Sequence, residues 1–261
     1  MKRPARILVV NDDGINAPGL DALAAVAAEI GDEVWVVAPE IDQSGVSHSV
    51  SLNDPLRLRR IGERRFAVHG TPTDCVIMGA RHLMKEAPPD LVLSGFNGGQ
   101  NAAEDVIYSG TVAGAVEGAV LGMPAIALSQ SIRRDTPTET IFACAAERGA
   151  EVIWKILETG IAPGALVNVN FPACAPGEVE GTAVTRQGRR PQDFVGIEPR
   201  RDGRNRPYYW VTYGPRYAEA EEGTDLWALQ RRMISITPLR VDLTDHGRLA
   251  SLAEAMAAPA R

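Results

Sequence analysis

Residues 7–14 read ILVVNDDG, an apolar run that ends at two adjacent carboxylates, Asp12 and Asp13. The run predicts a buried strand, and in a parallel α/β sheet ligands bind beyond the carboxyl ends of the strands. Two neighbouring acids repel each other unless a positive charge lies between them, and hard cations such as Mg²⁺ or Mn²⁺ suit carboxylate oxygens. An ordinary Asp-Asp-Gly turn with both acids in water accounts for the same residues equally well.

Two further predicted strands also end at side chains that carry oxygen. Residues 33–39 form an apolar run that is followed by a loop with Ser44, and residues 90–95 form another that is followed by Asn97. We expect these side chains to meet Asp12 and Asp13, because the carboxyl ends of parallel strands share one edge of a sheet. A set of carboxylate, hydroxyl and amide oxygens without His or Cys suits Mg²⁺, Mn²⁺ or Ca²⁺ better than zinc.

Apolar strand runs alternate with helical patterns as far as residues 125–129. This alternation predicts consecutive βαβ units, and therefore an α/β, Rossmann-like, mostly parallel sheet with helices on both faces. Later helices are predicted at 73–83, 112–121 and about 139–157. The first helix has an apolar stripe formed by Leu20, Leu23, Ala24, Ala27 and Ile30.

The character of the chain changes after Pro172, where hydrophobic periodicity weakens and arginines and aromatic residues accumulate. We divide the chain into an α/β core at 1–172, an extended arm or hairpin at 173–222, and a C-terminal part at 223–261. That last part contains a strand that returns to the core and a short amphipathic helix at 247–256, which packs on its own subunit or crosses to a neighbour. The arm is either a solvated hairpin or an assembly segment, because an exposed strand at 208–213 (YYWVTY) favours pairing with another subunit.

A second candidate site lies at Ser109, Gly110 and Thr111, directly before the predicted helix at 112–121. A helix start offers free backbone N–H groups and the positive end of the helix dipole, which together bind phosphate. The alternative is an ordinary N-cap, in which a hydroxyl accepts from the amides of its own helix. Motifs of the P-loop, dinucleotide-binding and serine-hydrolase classes are absent from the sequence.

Two other features have a structural interpretation that we favour over a chemical one. Residues 71–74 (TPTD) have the pattern of a capping box with proline at the first helical position. His48, near the Ser44 loop, could donate a proton to a leaving oxygen or bind phosphate, but a hydrogen-bonded structural histidine is the simpler interpretation.

Composition sets further limits. The chain has 261 residues, of which 45% are hydrophobic, and its net charge is −6. A net negative charge argues against stable nucleic-acid binding, which depends on clustered Lys and Arg. The three cysteines, Cys75, Cys144 and Cys174, show no metal-binding spacing and indicate a reducing compartment. We expect a cytoplasmic protein, because residues 1–6 run directly into a strand and no apolar stretch is long enough for a membrane span.

Nine motifs, in order, resemble the SurE family, also called survival protein E, over essentially the whole chain. They are VVNDDGINAPG at 9–19, AP at 38–39, QSG at 43–45, GTPTDCV at 70–76, SGFN at 94–97, DVIYSGTVA at 105–113, NVNFP at 168–172 and EGTD at 222–225, followed by SITPL at 235–239.

The resemblance implies a phosphatase that depends on one divalent cation per subunit, Mg²⁺ or Mn²⁺. Its substrates would be nucleoside 5′- and 3′-monophosphates, with exopolyphosphatase activity in some members, and it would form a homodimer or homotetramer through extended C-terminal segments. Matched by motif, the metal ligands are Asp12, Asp13, Ser44 and Asn97, the catalytic residues are Asp12 and Asp13, and the phosphate contacts are Asn97, Ser109, Gly110 and Thr111.

Two alternatives come from other functional classes. A receiver-like signalling module also has an acidic pair after its first strand, but it needs an acceptor Asp at a later strand exit and a Lys after the last one. Here those exits carry Ser44, Asn97, Ser129 and Gln130. A nucleotide-binding regulator without turnover would keep the same residues as the enzyme, and only an assay separates the two.

Overall fold

The computed structural model describes residues 3–133, 135–213 and 219–257. Its strands are β1 (Arg6–Val10), β2 (Glu33–Pro39), β3 (Arg57–Arg60), β4 (Arg65–His69), β5 (Leu91–Gly98), β6 (Ala125–Gln130), β7 (Ala165–Phe171), β8 (Gly181–Val184), β9 (Val195–Arg201), β10 (Pro207–Tyr213) and β11 (Met233–Arg240). Its α-helices are α1 (Pro18–Ile30), α2 (Pro72–Met78), α3 (Asp105–Tyr108), α4 (Gly110–Val120), α5 (Ala143–Thr159), α6 (Asp225–Gln230) and α7 (Leu249–Ala257).

The described strands form one nine-stranded sheet, in the order β3-β4-β2-β1-β5-β6-β7-β11-β8, and one two-stranded hairpin, β9-β10. Neighbouring strands of the large sheet run parallel, except that β3 is antiparallel to β4 and β11 is antiparallel to β7. Helices α1 and α5 cover one face, and α2 and α4 cover the other. The predicted α/β fold with a mostly parallel sheet and helices on both faces is confirmed.

The first strand shows why a continuous apolar run predicts a central position. Ile7 and Val9 pack into the cluster under α1 and α5, whereas Leu8 and Val10 pack into the cluster under α2 and α4. All four side chains are fully buried, and burial of such a side chain contributes about 1.5–3 kcal/mol. A strand buried on both faces cannot alternate polar and apolar residues, so its sequence is apolar throughout.

Two predicted helices differ from the observed ones. The helix predicted at 73–83 is α2 followed by a π-helical turn, Gly79–Leu83, in which the Met84 N–H donates to the Gly79 carbonyl five residues earlier (2.8 Å). The helix predicted at 139–157 begins at Ala143, after a 3₁₀ turn at Thr138–Thr140. In that turn the N–H and the hydroxyl of Thr140 both donate to the Pro137 carbonyl (3.0 and 3.1 Å), which competes with α-helical bonding.

Residues 173–222, the predicted arm, contribute β8 to the large sheet and β9 and β10 to the hairpin. The hairpin exposes aromatic and β-branched side chains, among them Tyr209, Trp210 and Val211, and every residue of α7 is exposed as well. The division of the chain at 172 and 222 stays a prediction. Within the described ranges, no helix combines the length and the hydropathy that a membrane crossing requires.

Candidate active site

The polar strand exits lie at a topological switch point of the sheet. β1 has β2 on one side and β5 on the other, so the connections after β1 and β5 lead in opposite directions and open a crevice at their carboxyl ends. Asp12 and Asp13 follow β1, and Asn97 lies near the end of β5. The two exits are in contact, because the Gly98 N–H donates to Asp13 Oδ2 (3.3 Å). The fold therefore brings three of the predicted site residues together.

Asp12 is held between the exit of β1 and the beginning of α4. Its side chain is almost fully buried, and Thr111 Oγ1 donates to its Oδ1 atom (2.5 Å). Gly110 lies directly against it: a Cβ atom at Gly110 would be 2.7 Å from the Asp12 Cβ and 3.0 Å from Oδ2. Only glycine fits this position, so the metal-ligand candidate and the phosphate-contact candidates form one continuous site.

The two carboxylates are in an electrostatically unfavourable position. Burial raises the pKa of Asp12 to about 7, and the negative charges of Asp13 and Asp42 add to that rise. Burial, together with the charge of Asp42, also raises the pKa of Asp13. Among the described residues, no cationic side chain bonds to Asp12 or Asp13. A bound cation would provide the missing positive charge.

Ser44 reaches this site through the loop that follows β2. The Gln43 N–H donates to the Asp12 carbonyl oxygen (2.8 Å), so the loop that carries the exposed Ser44 is bonded to the main chain of Asp12. The Ser44 N–H in turn donates to Asp42 Oδ1 (2.6 Å). Asp42 is a site residue that sequence reasoning missed, although an Asp two residues before a Ser in a loop is the signal of an Asx turn.

Asn97 presents an oxygen atom and not its nitrogen. Its Nδ2 atom donates to the Gly99 carbonyl (2.7 Å), which leaves the amide oxygen as the available ligand atom. In the part of the chain that the structure describes, no three His, Cys, Asp or Glu side chains are grouped so that they could hold a metal by themselves. A cation at this position would therefore depend on oxygen ligands besides the two carboxylates, and the Ser44 hydroxyl and the Asn97 amide oxygen are the candidates.

The beginning of α4 is both a capped helix start and a position with free N–H groups, the two alternatives that the sequence left open. Ser109 is its N-cap, because Ser109 Oγ accepts from the Val112 N–H (3.0 Å). The N–H groups of Gly110 and Thr111 have no acceptor among the described residues. An 11-residue helix with two free N–H groups at its first turn provides an anion-binding position beside Asp12.

A buried polar cluster behind the site was also missed. Asn101 donates from its N–H to Asn170 Oδ1 (2.8 Å) and from Nδ2 to Ser129 Oγ (2.9 Å). Its carbonyl accepts from the side chains of Asn168 and Asn170 (2.7 and 3.1 Å). These bonds fix the segment that runs from Asn97 to α3. The available signal was two asparagines inside β7, an otherwise apolar strand.

Residues of the C-terminal half also bond to the segment that runs from Asn97 to α3. Asp225 is fully buried and accepts from the N–H groups of Ala103 (2.8 Å) and Gly188 (2.9 Å). Arg190 forms a two-point ion pair with Asp105, the first residue of α3, and its side chain is 3% exposed. Residues far along the chain therefore fix the approach to α4.

Comparison with known proteins identifies the family of the chain. The family model described as "Survival protein SurE" matches residues 7–193. The chain is 59% identical to the 5′-nucleotidase SurE of Methylorubrum populi over 253 residues, an alignment that covers 97% of this chain and 100% of that protein. It is 55% identical to the 5′-nucleotidase SurE of Rhodopseudomonas palustris over 254 residues, an alignment that covers 96% of this chain and 99% of that protein. The crystal structure of the SurE protein from Aquifex aeolicus is similar with a TM-score of 0.82 and 40% identity, covering 96% of this chain and 99% of that chain. The chain therefore belongs to the SurE family.

Proposed function

We propose that this chain is a phosphatase that hydrolyses nucleoside 5′-monophosphates to nucleoside and phosphate with the help of one divalent cation per subunit, Mg²⁺ or Mn²⁺. The observation that carries the proposal is the contact between Asp12 and the first turn of α4, which joins a carboxylate pair to an anion-binding helix start. Curated relatives named 5′-nucleotidase SurE support the substrate class. We extend the proposal to 3′-monophosphates and polyphosphate, which carry the same terminal phosphate group.

The residues present fit a divalent cation. Asp12, Asp13, Ser44 and Asn97 would hold it through oxygen atoms, which is the donor set that Mg²⁺ and Mn²⁺ prefer. The raised pKa of Asp12 supports this assignment, because a buried carboxylate pair without a cationic partner is stabilised by a positive ligand. When bound, the cation would stabilise negative charge on the phosphate and the leaving oxygen.

The chain's own groups have separate tasks in this proposal. The free N–H groups of Gly110 and Thr111 bind phosphate oxygens at the positive end of α4. The Thr111 hydroxyl fixes the orientation of Asp12, and the Gly98 N–H fixes Asp13. Asp13 is less buried than Asp12 and orients the attacking water by accepting its hydrogen bond.

The test is a phosphate-release panel. We expect release from AMP with Mg²⁺ or Mn²⁺ and none with EDTA, and a loss of release in Asp12→Asn, Asp13→Asn and Asn97→Ala. The control is Asp54→Asn, which replaces an exposed acid outside the site and should behave as wild type. Full activity with EDTA, or in either Asp variant, would remove the cation from the proposal. Parallel reactions with 3′-AMP and polyphosphate define the substrate range.

We also propose that the chain assembles as a homodimer or homotetramer through the β9-β10 hairpin and works in the cytoplasm. Tyr209 and Trp210 are 64% and 56% exposed, an arrangement that favours a partner surface. Three free thiols suit a reducing compartment. Light scattering on wild type and Trp210→Ser tests the assembly: a smaller particle for the variant supports it, and an identical mass for both contradicts the role of the hairpin.

A further inference from the structure

The loop between β2 and β3, residues 40–56, carries Ser44 and is anchored on both sides of it. Before Ser44, the Gln43 N–H donates to the Asp12 carbonyl (2.8 Å). After it, Ser47 donates from its N–H and from its hydroxyl to two carbonyl oxygens of α3 (3.1 and 2.7 Å). The exposed Ser44 therefore lies in a span of three residues between two fixed points.

The backbone of this span has a specific shape. Gly45 has φ +77° and Ser47 has φ +57°. A left-handed conformation is unfavourable for a residue with a Cβ atom and persists only where surrounding contacts hold it. At Ser47 those contacts are the two hydrogen bonds to α3, so loss of the hydroxyl would weaken the constraint on the preceding residues.

The next residue ties the loop to α4. His48 Nε2 donates to Glu117 Oε2 (2.8 Å), and the Glu117 side chain is only 8% exposed. Because α4 also provides Gly110 and Thr111, this bond connects the loop to the helix that forms the anion-binding position.

The last anchors connect the loop to α2. Thr71 Oγ1 donates to the Ser49 carbonyl (2.7 Å), and Asp74 accepts from the N–H and the hydroxyl of Ser51 (3.1 and 2.7 Å). Thr71 and Asp74 are also the two members of the capping box of α2. The TPTD motif thus has a second task in addition to capping.

We infer that residues 47–51 form a clamp that positions Ser44 for the cation, with Ser47, Ser51, Glu117 and Asp74 as positioning residues. This inference rests on the proposed function, in which Ser44 is a metal ligand. A ligand on a free loop loses conformational freedom when it binds, and this loss weakens the affinity. A loop that α2, α3 and α4 already hold in one shape has lost that freedom before the cation arrives.

The three serines of the clamp provide a matched experiment. Ser47 and Ser51 use their hydroxyls as anchors, whereas Ser49 uses its main-chain carbonyl and its side chain is exposed. We would measure the dissociation constant of Mn²⁺ for the metal-free, full-length chain by electron paramagnetic resonance. We expect about two- to tenfold weaker binding for Ser47→Ala and Ser51→Ala, the range that one lost hydrogen bond gives. Ser49→Ala and Ser51→Thr should bind as wild type does.

Two further measurements distinguish a clamp that positions Ser44 from hydrogen bonds that only stabilise the fold. Ser44→Ala should bind Mn²⁺ more weakly than either clamp variant, and the activity of Ser51→Ala should recover at saturating Mn²⁺. A lower unfolding temperature of metal-free Ser51→Ala with an unchanged dissociation constant would overturn the inference, because it would leave only a structural role. Wild-type binding by Ser47→Ala and Ser51→Ala alongside weakened binding by Ser44→Ala would overturn the clamp alone. Absence of Mn²⁺ binding by the wild-type chain would overturn the metal proposal as well.

Discussion

Replacement of Asp12 by asparagine removes a buried negative charge that destabilises the metal-free fold. The pKa of this buried carboxyl rises from 3.8 to about 7 on folding. Each pKa unit corresponds to about 1.4 kcal/mol, so an ionised Asp12 destabilises the metal-free fold by an amount on the order of 4 kcal/mol. Asparagine has nearly the same shape and can still accept the hydrogen bond from Thr111, so we expect Asp12→Asn to be more stable than wild type by about 2–4 kcal/mol at pH 8 without metal.

The pH dependence has a defined sign. Below pH 3.8 Asp12 is protonated in both the folded and the unfolded chain and carries no penalty. As the pH rises to about 7 the unfolded chain releases this proton first, so the contribution of Asp12 to the free energy of unfolding decreases through that window. The advantage of Asp12→Asn should therefore shrink as the pH is lowered from 8 toward 4.

Urea unfolding with EDTA, at several pH values, measures this difference. A second series with Mg²⁺ should stabilise wild type but not Asp12→Asn, because only a folded chain with an intact site gains from the ligand. Asp54→Asn, in an exposed loop, is the control and should unfold as wild type does. If metal-free Asp12→Asn at pH 8 unfolds at the same or a lower urea concentration than wild type, the buried charge of Asp12 does not destabilise the fold.

Three further predictions concern the first turn of α4 and the segment that leads to it. Gly110→Ala places a Cβ 2.7 Å from the Asp12 Cβ, so phosphate release should fall by about 100-fold. The control is Gly177→Ala, where a Cβ meets no atom within 4 Å and wild-type activity is expected. Equal activities of the two variants would contradict the close fit at Gly110. Thr111→Val removes the hydroxyl that orients Asp12 and should lower kcat/KM about tenfold, whereas Thr111→Ser keeps the hydroxyl and should keep the wild-type kcat/KM. Identical kinetics for the two variants would exclude the orienting role of the hydroxyl. Asp225→Ala leaves the backbone N–H groups of Ala103, Gly188 and Leu226 without their acceptor and should lower the free energy of unfolding by about 2–4 kcal/mol. An unchanged urea midpoint would contradict the buried role of Asp225.

Local pattern was sufficient for the elements that frame the site. The apolar runs at 7–10, 33–39 and 90–95 predicted β1, β2 and β5, because strands buried on both faces have no polar alternation. The capping box of α2 follows from the spacing of Thr71 and Asp74 alone. Helix starts were less predictable. Thr138–Thr140 form a 3₁₀ turn because Thr140 bonds to Pro137. Such competing bonds leave no distinct signature in a window of about 11 to 18 residues, so the sequence pattern did not predict the turn.

The α/β fold, the strand exits and the chemistry of the residues at those exits can be read from the chain alone, since each depends on neighbours within a few positions. Which of these residues touch each other depends on the folded arrangement. Thr111 bonds to Asp12 across 99 residues, and Asp225 bonds to Ala103 across 122. Asp42, Asn101 and the anchors of the Ser44 loop acquire their roles in the same way, because a contact between distant segments is fixed by strand order and packing and leaves no periodic trace along the chain.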